Sequence, residues 1–365
     1  MAKEGSKTQP PSRERKIDIS VLTQSLLAVA LGFVAGGIMI AAAGYSPVVA
    51  YGVLLKGAFG DFDSIAETLA QATPLILTGL GVAVAFLEGC FNIGAEGQLF
   101  MGAFLAFLGG YLIAMPAPIH IPFVILMGII GGAGWAILPA ILKVKRGAHE
   151  VVTTIMMNWI GILLTSYLTL YHFLEPTASI PETPIINSSA VLPIIVPRTG
   201  LSASFLVALI CVLVIYYMLK KMPLGYNIRA VGLNPSAAEY GGIAVSRVWV
   251  TGMLISGALC GLGGAGVTLG SYRRFVDRFS PGYGFDGIAV ALIGRNNPIG
   301  ALLAAIFIGA LYSGSVYMRL ITHMPKELVM AIEGIIIVFA AIPEATRLVR
   351  MAVEHWSFGG QDRDG

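Results

Sequence analysis

Four side chains that can carry charge or form strong hydrogen bonds lie in a short stretch between two long apolar segments. Glu88, Asn92, Glu96 and Gln98 occur in the run EGCFNIGAEGQL, residues 88–99. Ionisable and polar groups at membrane depth are costly and usually mark a route for ions or solutes. The run therefore favours one of two kinds of chemistry: hydrogen bonding to a polar solute, or coupling to a proton or cation through an acid.

The segments on either side of this run are those of a membrane protein. Of the 365 residues, 56% are hydrophobic and 12% are charged, whereas a soluble domain carries about 25% charged residues. A β-barrel is disfavoured, because its strands would alternate polar and apolar residues. The predicted fold class is all-α: a polytopic helical membrane protein with about 8–10 transmembrane segments.

Ten apolar segments are candidate helices. The eighth is too short to span a bilayer as a helix, since a span needs about 20 residues. We expect it to be re-entrant or one half of a broken helix. The ten segments are 20–44, 64–88, 95–114, 120–142, 151–171, 202–219, 248–270, 285–294, 299–316 and 327–344.

Lysine and arginine positions predict the orientation, because cytoplasmic loops are enriched in them. Threading the basic clusters through alternating spans places both termini in the cytoplasm. Arg273, Arg274 and Arg278 do not fit this threading: either they line a polar vestibule, or the eighth segment is misplaced. The expected divisions are a disordered cytoplasmic lead (1–18), a transmembrane domain (19–345) with an external loop (172–201) and a cytoplasmic loop (220–247), and a cytoplasmic tail (346–365).

The chain contains an internal repeat. GVAVAFLEGCFNIGA (81–95) aligns without a gap to GIAVALIGRNNPIGA (287–301) at an offset of 206, with seven of fifteen positions identical. Paired segments with polar breaks point to a transport route, since irregular backbone at membrane depth must be buried in protein or face water. The alternative is an ordinary turn at Asn92 and Asn297, and the copies could be parallel or inverted. The side chains predicted to line a route are Asn92, Glu96, Gln98, Asn158, Asn296 and Asn297.

The loop at 220–247 carries a complete signal for a short helix. Asn234 can cap it, Pro235 suits its first turn, and Gly241 or Gly242 can end it. Such a helix could insert into a partner's groove, whereas a solvated loop is the alternative. Elsewhere, the GxxxG pair of Gly257 and Gly261 predicts close helix packing.

Several classes of function find no support in the sequence. There is no GxxxxGK[ST] motif, so the chain is not expected to bind ATP through a P-loop. No cluster of histidines or cysteines suggests a metal, and no arrangement suggests catalysis, a cofactor or nucleic-acid binding. The three cysteines are expected to be small buried hydrophobes.

Three motifs resemble a known family. FNIGAEGQLFMGAF, GFDGIAVALIGRNNPIG and IRAVGLNPSAAEYGGI are similar to the permease subunits of bacterial ABC importers of the branched-chain amino acid, ribose and nucleoside type. The motif FNIGAEGQ is similar to that of nucleoside importers served by basic-membrane-protein-type lipoproteins. The resemblance covers about residues 20–345.

The resemblance implies a heteromeric importer in the bacterial cytoplasmic membrane. Two permease subunits would form the pore by alternating access, a cytoplasmic ABC ATPase would drive it, and an extracytoplasmic binding protein would deliver the solute. The short helix would then be the coupling helix that docks on the ATPase. Its residues are Asn234, Pro235, Ala237, Ala238, Glu239, Tyr240, Gly241 and Gly242.

Two other functions compete with this reading. One is a secondary transporter coupled to protons or sodium ions through Glu88, Glu96 or Glu333. The other is a structural membrane protein without transport, against which the repeat with polar breaks argues. For an importer, we expect a nucleoside or related small polar solute, with a ribose-like sugar or a branched-chain amino acid as the alternatives.

Overall fold

A computed structural model of the chain describes residues 19–341, with side chains described from residue 27 onward. The predicted lead at 1–18 and tail at 346–365 lie outside the described residues. Between residues 19 and 341 the chain forms thirteen α-helices, and its only β-structure is two isolated bridges. The all-α prediction is confirmed.

The helices follow one another with short connections, apart from two longer segments before α7 and α11. A π-helical turn, Val267–Tyr272, continues α10. The helices are α1 (Ile19–Ala42), α2 (Pro47–Phe59), α3 (Phe62–Leu87), α4 (Ala95–Leu112), α5 (Ala117–Arg146), α6 (Glu150–His172), α7 (Ser204–Lys221), α8 (Pro223–Leu233), α9 (Pro235–Tyr240), α10 (Val245–Gly266), α11 (Tyr283–Ile293), α12 (Pro298–Thr322) and α13 (Lys326–Ala341).

Each of the ten predicted apolar segments corresponds to one helix: α1, α3 to α7, and α10 to α13. Among the described helices, six are long and apolar enough to cross a membrane, namely α3, α5, α6, α7, α10 with its π-helical continuation, and α12. The eighth segment is α11, which has 11 residues and is too short to span alone. The prediction of a polytopic helical membrane protein is confirmed.

Two further helices were not predicted. α2 has 13 residues, includes Lys56, and is shorter than a spanning segment, so a search for spans passes over it. α8 lies inside the polar stretch 220–247, which is therefore not a single irregular loop. Its apolar side is limited to a few positions, among them Ile228 and Val231, which are buried.

The two connections of α7 define the two ends of the helix bundle. Residues 173–203 precede α7 at one end, and α8 and α9 follow it at the other, here called the α9 end. At the end opposite α9, Thr183 N donates a hydrogen bond to Phe275 O over 2.9 Å. Arg274 and Glu182 form an ion pair beside it. Arg274 thus lies at the end opposite α9, as the vestibule explanation of its misfit requires.

α3 and α10 occupy the centre of the bundle. α3 packs against α10, α11 and α12, and α10 also packs against α4 and α5. The predicted close packing at Gly257 and Gly261 is confirmed, because both face glycines of α5. A Cβ at Gly261 would lie 2.4 Å from the carbonyl oxygen of Gly128, so only glycine allows this approach of the two backbones.

The two copies of the repeat end their first helix at the same aligned position. α3 ends at Leu87 and α11 ends at Ile293, and these residue numbers differ by 206. α4 begins at Ala95, whereas α12 begins at Pro298, three positions before the aligned residue. The shared helix end supports the predicted duplication, and the earlier start of α12 makes the second break shorter.

The two breaks also differ in burial. The first, residues 88–94, contains the fully buried Asn92. The second, residues 294–297, ends at the exposed Asn297, whose side-chain oxygen accepts a hydrogen bond from Ile299 N over 3.0 Å and caps α12. The first copy therefore has a buried break, while the second matches the alternative prediction of an ordinary turn.

Candidate translocation site

A reciprocal pair of amides closes the first break. Asn92 Nδ2 donates to Gln98 Oε1 over 3.0 Å, and Gln98 Nε2 donates back to Asn92 Oδ1 over 3.2 Å. Asn92 also donates to Ser256 Oγ on α10 over 2.7 Å and accepts from Gly94 N over 3.0 Å. Both amides are buried, and the chain itself satisfies their polar groups.

Asn158 ties α6 to the same break. Its Nδ2 donates to Ile93 O over 2.5 Å, and its Oδ1 accepts from Gly97 N over 2.7 Å. Gly97 lies in the first turn of α4, where backbone N–H groups have no partner within the helix. One buried side chain therefore satisfies two backbone groups that the break leaves free.

Glu96 connects the break to α11. Its Oε2 accepts a hydrogen bond from Gly284 N over 2.5 Å, in the first turn of α11. A carboxylate at a helix N-terminus is favourable by about 0.3–1 kcal/mol at exposed positions. A Cβ at Gly284 would lie 2.2 Å from Glu96 N, so the two helices meet only because residue 284 is glycine.

Four of the six predicted route residues thus form one buried cluster, and their hydrogen bonds go to the chain itself. None of the four lines the cavity that adjoins α11. The other two lie at the second break: Asn297 caps α12, and Asn296 has a positive φ of 53° with no partner for its Oδ1 among the described residues. The clustered residues are Asn92, Glu96, Gln98 and Asn158.

A cavity of about 690 Å³ lies on α11, between α12, α13 and the segment that precedes α11. α11 supplies Tyr283, Phe285 and Asp286 to its wall, while the neighbouring Gly284 rests on Glu96. The buried cluster at the first break therefore holds the helix that forms one wall of the cavity.

The cavity is rich in aromatic side chains. The ring centroids of Tyr283 and Tyr312 are 6.2 Å apart, and those of Tyr272 and Phe279 are 6.5 Å apart. Tyr283 is fixed by its hydroxyl, which donates to Gln71 Oε1 over 2.6 Å. Such walls suit a flat, partly apolar solute, because aromatic rings pack face to face or edge to face. The aromatic lining residues are Tyr272, Phe279, Tyr283, Phe285 and Tyr312.

The same cavity contains five ionisable side chains, three basic and two acidic. Tyr312 donates its hydroxyl hydrogen to Asp286 Oδ2. Within the described range, none of the three basic side chains forms an ion pair. The ionisable lining residues are Arg278, Asp286, Arg319, Lys326 and Glu333. The cavity can therefore offer both acceptors and positively charged donors to a polar solute.

The sequence alone predicts little of this cavity. The cavity contains Glu333, a possible ion-coupling acid, and Arg278, which does not fit the predicted threading. Asp286 is not among the predicted route residues, although it lies in the motif GFDGIAVALIGRNNPIG, next to the aligned repeat. The signal in the sequence is an acid or arginine within an apolar helix, as at Asp286, Arg319 and Glu333.

The predicted short helix at the α9 end is confirmed. Asn234 Oδ1 accepts from Ala237 N over 3.0 Å, α9 runs from Pro235 to Tyr240, and Gly242 follows with a positive φ of 82°. The side chains of this region differ in exposure, so the region has an exposed face and a buried face.

The exposed face of this region presents two large apolar side chains. Tyr240 is 95% exposed and Leu233, just before α9, is 88% exposed, whereas Ala238 is buried against the chain's own core. Ala237 and Glu239 are exposed as well. A groove on a partner could therefore receive Tyr240 and Leu233, while Ala238 faces inward.

The chain matches the family described as branched-chain amino acid transport system / permease component over residues 64–341. It is 39% identical to the guanosine ABC transporter permease protein NupP of Bacillus subtilis, covering 91% of this chain and 96% of the relative. It is 35% identical to the nucleoside ABC transporter permease protein NupB of Lactococcus lactis, covering 87% and 90%. It is also 32% identical to the glucose ABC transporter permease protein TsgB13 of Haloferax volcanii, covering 90% and 89%.

Two guanosine ABC transporter permease proteins of Bacillus subtilis, NupP and NupQ, match this one chain. No solved structure gives a significant match. The family match covers both breaks, the cavity and α9. It also removes support from the ion-coupled alternative. The chain belongs to the permease component family of branched-chain amino acid type transport systems, and it is a multi-pass membrane permease of an ABC importer.

Proposed function

We propose that this chain is one of two permease subunits of an ATP-driven nucleoside importer, and that the cavity beside α11 is part of the solute's route. The observation that carries the proposal is the combination of five aromatic side chains with two carboxylates in one cavity of a permease. A nucleoside has a flat base and a hydroxylated sugar. Aromatic faces stack on bases with about 1–3 kcal/mol per base, and carboxylates accept hydrogen bonds from hydroxyls.

The names of the relatives support this solute class. Two of the three relatives named above carry guanosine or nucleoside in their names. A sugar importer is the second candidate, because the third is named for glucose. Both solutes carry several hydroxyls, but only the nucleoside also carries an aromatic base for which the tyrosine and phenylalanine walls are suited.

The coupling role is proposed for α9 and its flanks. The chain has no P-loop motif, so ATP hydrolysis is assigned to a separate ABC ATPase subunit. Leu233 and Tyr240 are large, apolar and almost fully exposed, which suits side chains that anchor an interface. The proposed coupling segment remains the one that caps, forms and ends the helix, from Asn234 to Gly242, in which Ala238 packs inward and the other residues are exposed to a partner.

The α9 end is assigned to the cytoplasm. Lys143, Lys145 and Arg146 end α5, and Lys220 and Lys221 end α7, so basic residues gather at this end. Positive charge concentrates on the cytoplasmic side of membrane proteins. The membrane is then the bacterial cytoplasmic membrane, with both termini inside and residues 173–203 outside.

Two further partners complete the proposed importer. The presence of two guanosine permease proteins in Bacillus subtilis supports a second permease subunit beside this one. An extracytoplasmic binding protein would deliver the solute to the end opposite α9. The cavity includes Arg278, in the segment between α10 and α11 that begins at that end.

Uptake in cells that carry all subunits tests the proposed function. Radiolabelled guanosine uptake is measured with and without this subunit, in the presence of excess unlabelled adenosine, ribose, glucose or leucine. We expect uptake to require this subunit and to be reduced by the nucleoside competitor alone. Competition by glucose or ribose at least as strong as by adenosine would favour the sugar importer, and competition by leucine alone would contradict both.

A further inference from the structure

Glu333 on α13 differs from the other polar groups of the cavity wall. The residue is 8% exposed, it lines the cavity, and its Oε1 has no hydrogen-bond partner among the described residues. By contrast, Asp286 accepts from the hydroxyl of Tyr312, and Tyr283 donates to Gln71. Glu333 thus presents an unused acceptor at the wall of the cavity.

A buried acceptor without a partner is unfavourable, because it has lost hydrogen bonds to water and gained none in return. Such a group persists where a ligand supplies the missing donor, since sites built to hydrogen-bond a ligand leave their acceptors unpaired in its absence. The hydroxyl of Ser315 lies close enough to Glu333 to interact with it, but its single hydrogen is directed to Tyr312 O over 2.9 Å, which leaves Glu333 Oε1 open to another donor.

The surroundings of Glu333 indicate the kind of donor. Its polar neighbours are the hydroxyl of Ser315, the guanidinium of Arg319 and the carboxylate of Asp286, so two carboxylates that accept hydrogen bonds lie on this side of the cavity. The carboxylate of Glu333 has two oxygens in one plane, and two adjacent hydroxyls can donate to such a pair. Two aromatic side chains that line the same cavity could face the base: Tyr272, at the end of the π-helical turn, and Phe279, in the segment before α11.

We propose that Glu333 is a specificity-determining residue that accepts hydrogen bonds from the 2′- and 3′-hydroxyls of the nucleoside's ribose. This inference rests on the proposed function, because it names the part of the nucleoside that the cavity reads. In this proposal Glu333 binds the solute and not an ion, because its unused oxygen accepts hydrogen bonds from the hydroxyls while the sugar passes α13.

The test compares guanosine with 2′,3′-dideoxyguanosine, which lacks both hydroxyls. The maximal uptake rate at saturating solute is measured in cells that carry all subunits, for the wild type and for Glu333→Gln. The binding protein is the same in both strains, so a change in the ratio of the two rates belongs to the permease. We expect Glu333→Gln to lower the rate for guanosine about tenfold and to leave the rate for dideoxyguanosine nearly unchanged.

A second measurement covers the case in which the binding protein does not deliver dideoxyguanosine. The melting temperature of the purified permease–ATPase complex is recorded with each solute and without binding protein. Guanosine should raise it more than dideoxyguanosine in the wild type, and the two should act equally in Glu333→Gln. Glu327→Gln, an exposed acid on the same helix that does not line the cavity, is the matched control and should behave as the wild type.

Two results would overturn the inference. If Glu333→Gln lowers both uptake rates by the same factor, and Arg319→Gln does likewise, then Glu333 serves the structure of α12 and α13 and does not read hydroxyls. If Glu333→Gln keeps the wild-type ratio of guanosine to dideoxyguanosine in both uptake rate and melting-temperature shift, then residues other than Glu333 bind the ribose hydroxyls. In both results the wild type still imports nucleoside, whereas a wild type that imports none contradicts the proposed function itself.

Discussion

Single side chains hold the first break by hydrogen bonding to backbone groups that the ends of α3 and α4 leave free. Asn158 reaches Ile93 O and Gly97 N, Asn92 accepts from Gly94 N, and Glu96 accepts from Gly284 N. Polar residues in this apolar sequence therefore serve first to satisfy the interrupted backbone. A direct contact with solute is not needed to explain their presence.

Asn158→Leu should destabilise the protein. It leaves two buried backbone groups unpaired, Ile93 O and Gly97 N, each at a cost of about 1–3 kcal/mol. The measurement is the melting temperature of the purified complex in detergent. Met156→Leu, on the same helix but 57% exposed, is the control and should melt as the wild type does. Equal melting temperatures for all three proteins would show that Asn158 does not hold the break.

Glu96→Gln should be mild and Glu96→Leu severe. The glutamine keeps a side-chain oxygen for Gly284 N and loses only the attraction between a carboxylate and the α11 N-terminus, about 0.3–1 kcal/mol. The leucine leaves Gly284 N without its acceptor, so α11, which forms one wall of the cavity, loses its hydrogen bond to α4. Guanosine uptake and melting temperature are measured together. Loss of uptake in Glu96→Gln, with the complex intact and equally stable, would instead place Glu96 in direct contact with the solute.

At the scale of elements, the sequence predicts what periodicity and local chemistry determine. The apolar segments coincide with helices, and Asn234 and Pro235 identify the start of α9 correctly. The cavity could not be predicted, because it brings together α3, α11, α12 and α13 from distant parts of the chain. The spacing of residues in the sequence also could not show that the side chains of Asn92 and Asn158 form hydrogen bonds with other groups of the chain, and not with a solute.

Ala238 is an example of a residue whose side could not be predicted from sequence. Ala238 is one of the residues of the predicted coupling helix that docks on a partner, but it packs on the chain's own core. A six-residue helix shows too little periodicity to reveal which face is buried. Ala238→Arg would therefore disturb the packing of α9 itself and cannot test docking alone.

Tyr240→Ala and Leu233→Ala are better tests of coupling. Both side chains are almost fully exposed, so their truncation should leave the permease fold intact. Anchor residues of an interface cost about 2 kcal/mol or more when truncated, so we expect the ATPase to be lost on purification. Tyr171→Ala, 74% exposed at the far end of α6, is the matched control. Full retention of the ATPase and of solute-stimulated hydrolysis in the double variant would exclude this surface from coupling.

At the scale of the whole molecule, the basic residues and the two ends of the bundle predict its orientation. Single cysteines are placed at Lys145, at the end of α5, and at Thr177, in the segment 173–203, after the three native cysteines are replaced by alanine. An impermeant maleimide applied to intact cells should label position 177 and not position 145. The opposite pattern would invert the molecule and place α9 outside.

The central claim is that a nucleoside passes through the cavity beside α11, and filling that cavity tests it most directly. Gly334 lines the cavity, and a Cβ there would have no described atom within 4 Å, so a side chain can begin at this position without a clash. Gly134 on α5 has equally open surroundings but does not line the cavity, which makes Gly134→Trp the matched control.

Guanosine uptake is therefore measured for Gly334→Trp and Gly134→Trp in cells that carry all subunits, with assembly checked by co-purification of the ATPase. Gly334→Trp should assemble normally while uptake falls to the level of cells lacking the subunit, and Gly134→Trp should import guanosine as the wild type does. Uptake at the wild-type rate in an assembled Gly334→Trp complex would contradict the account, because the solute would then take another route.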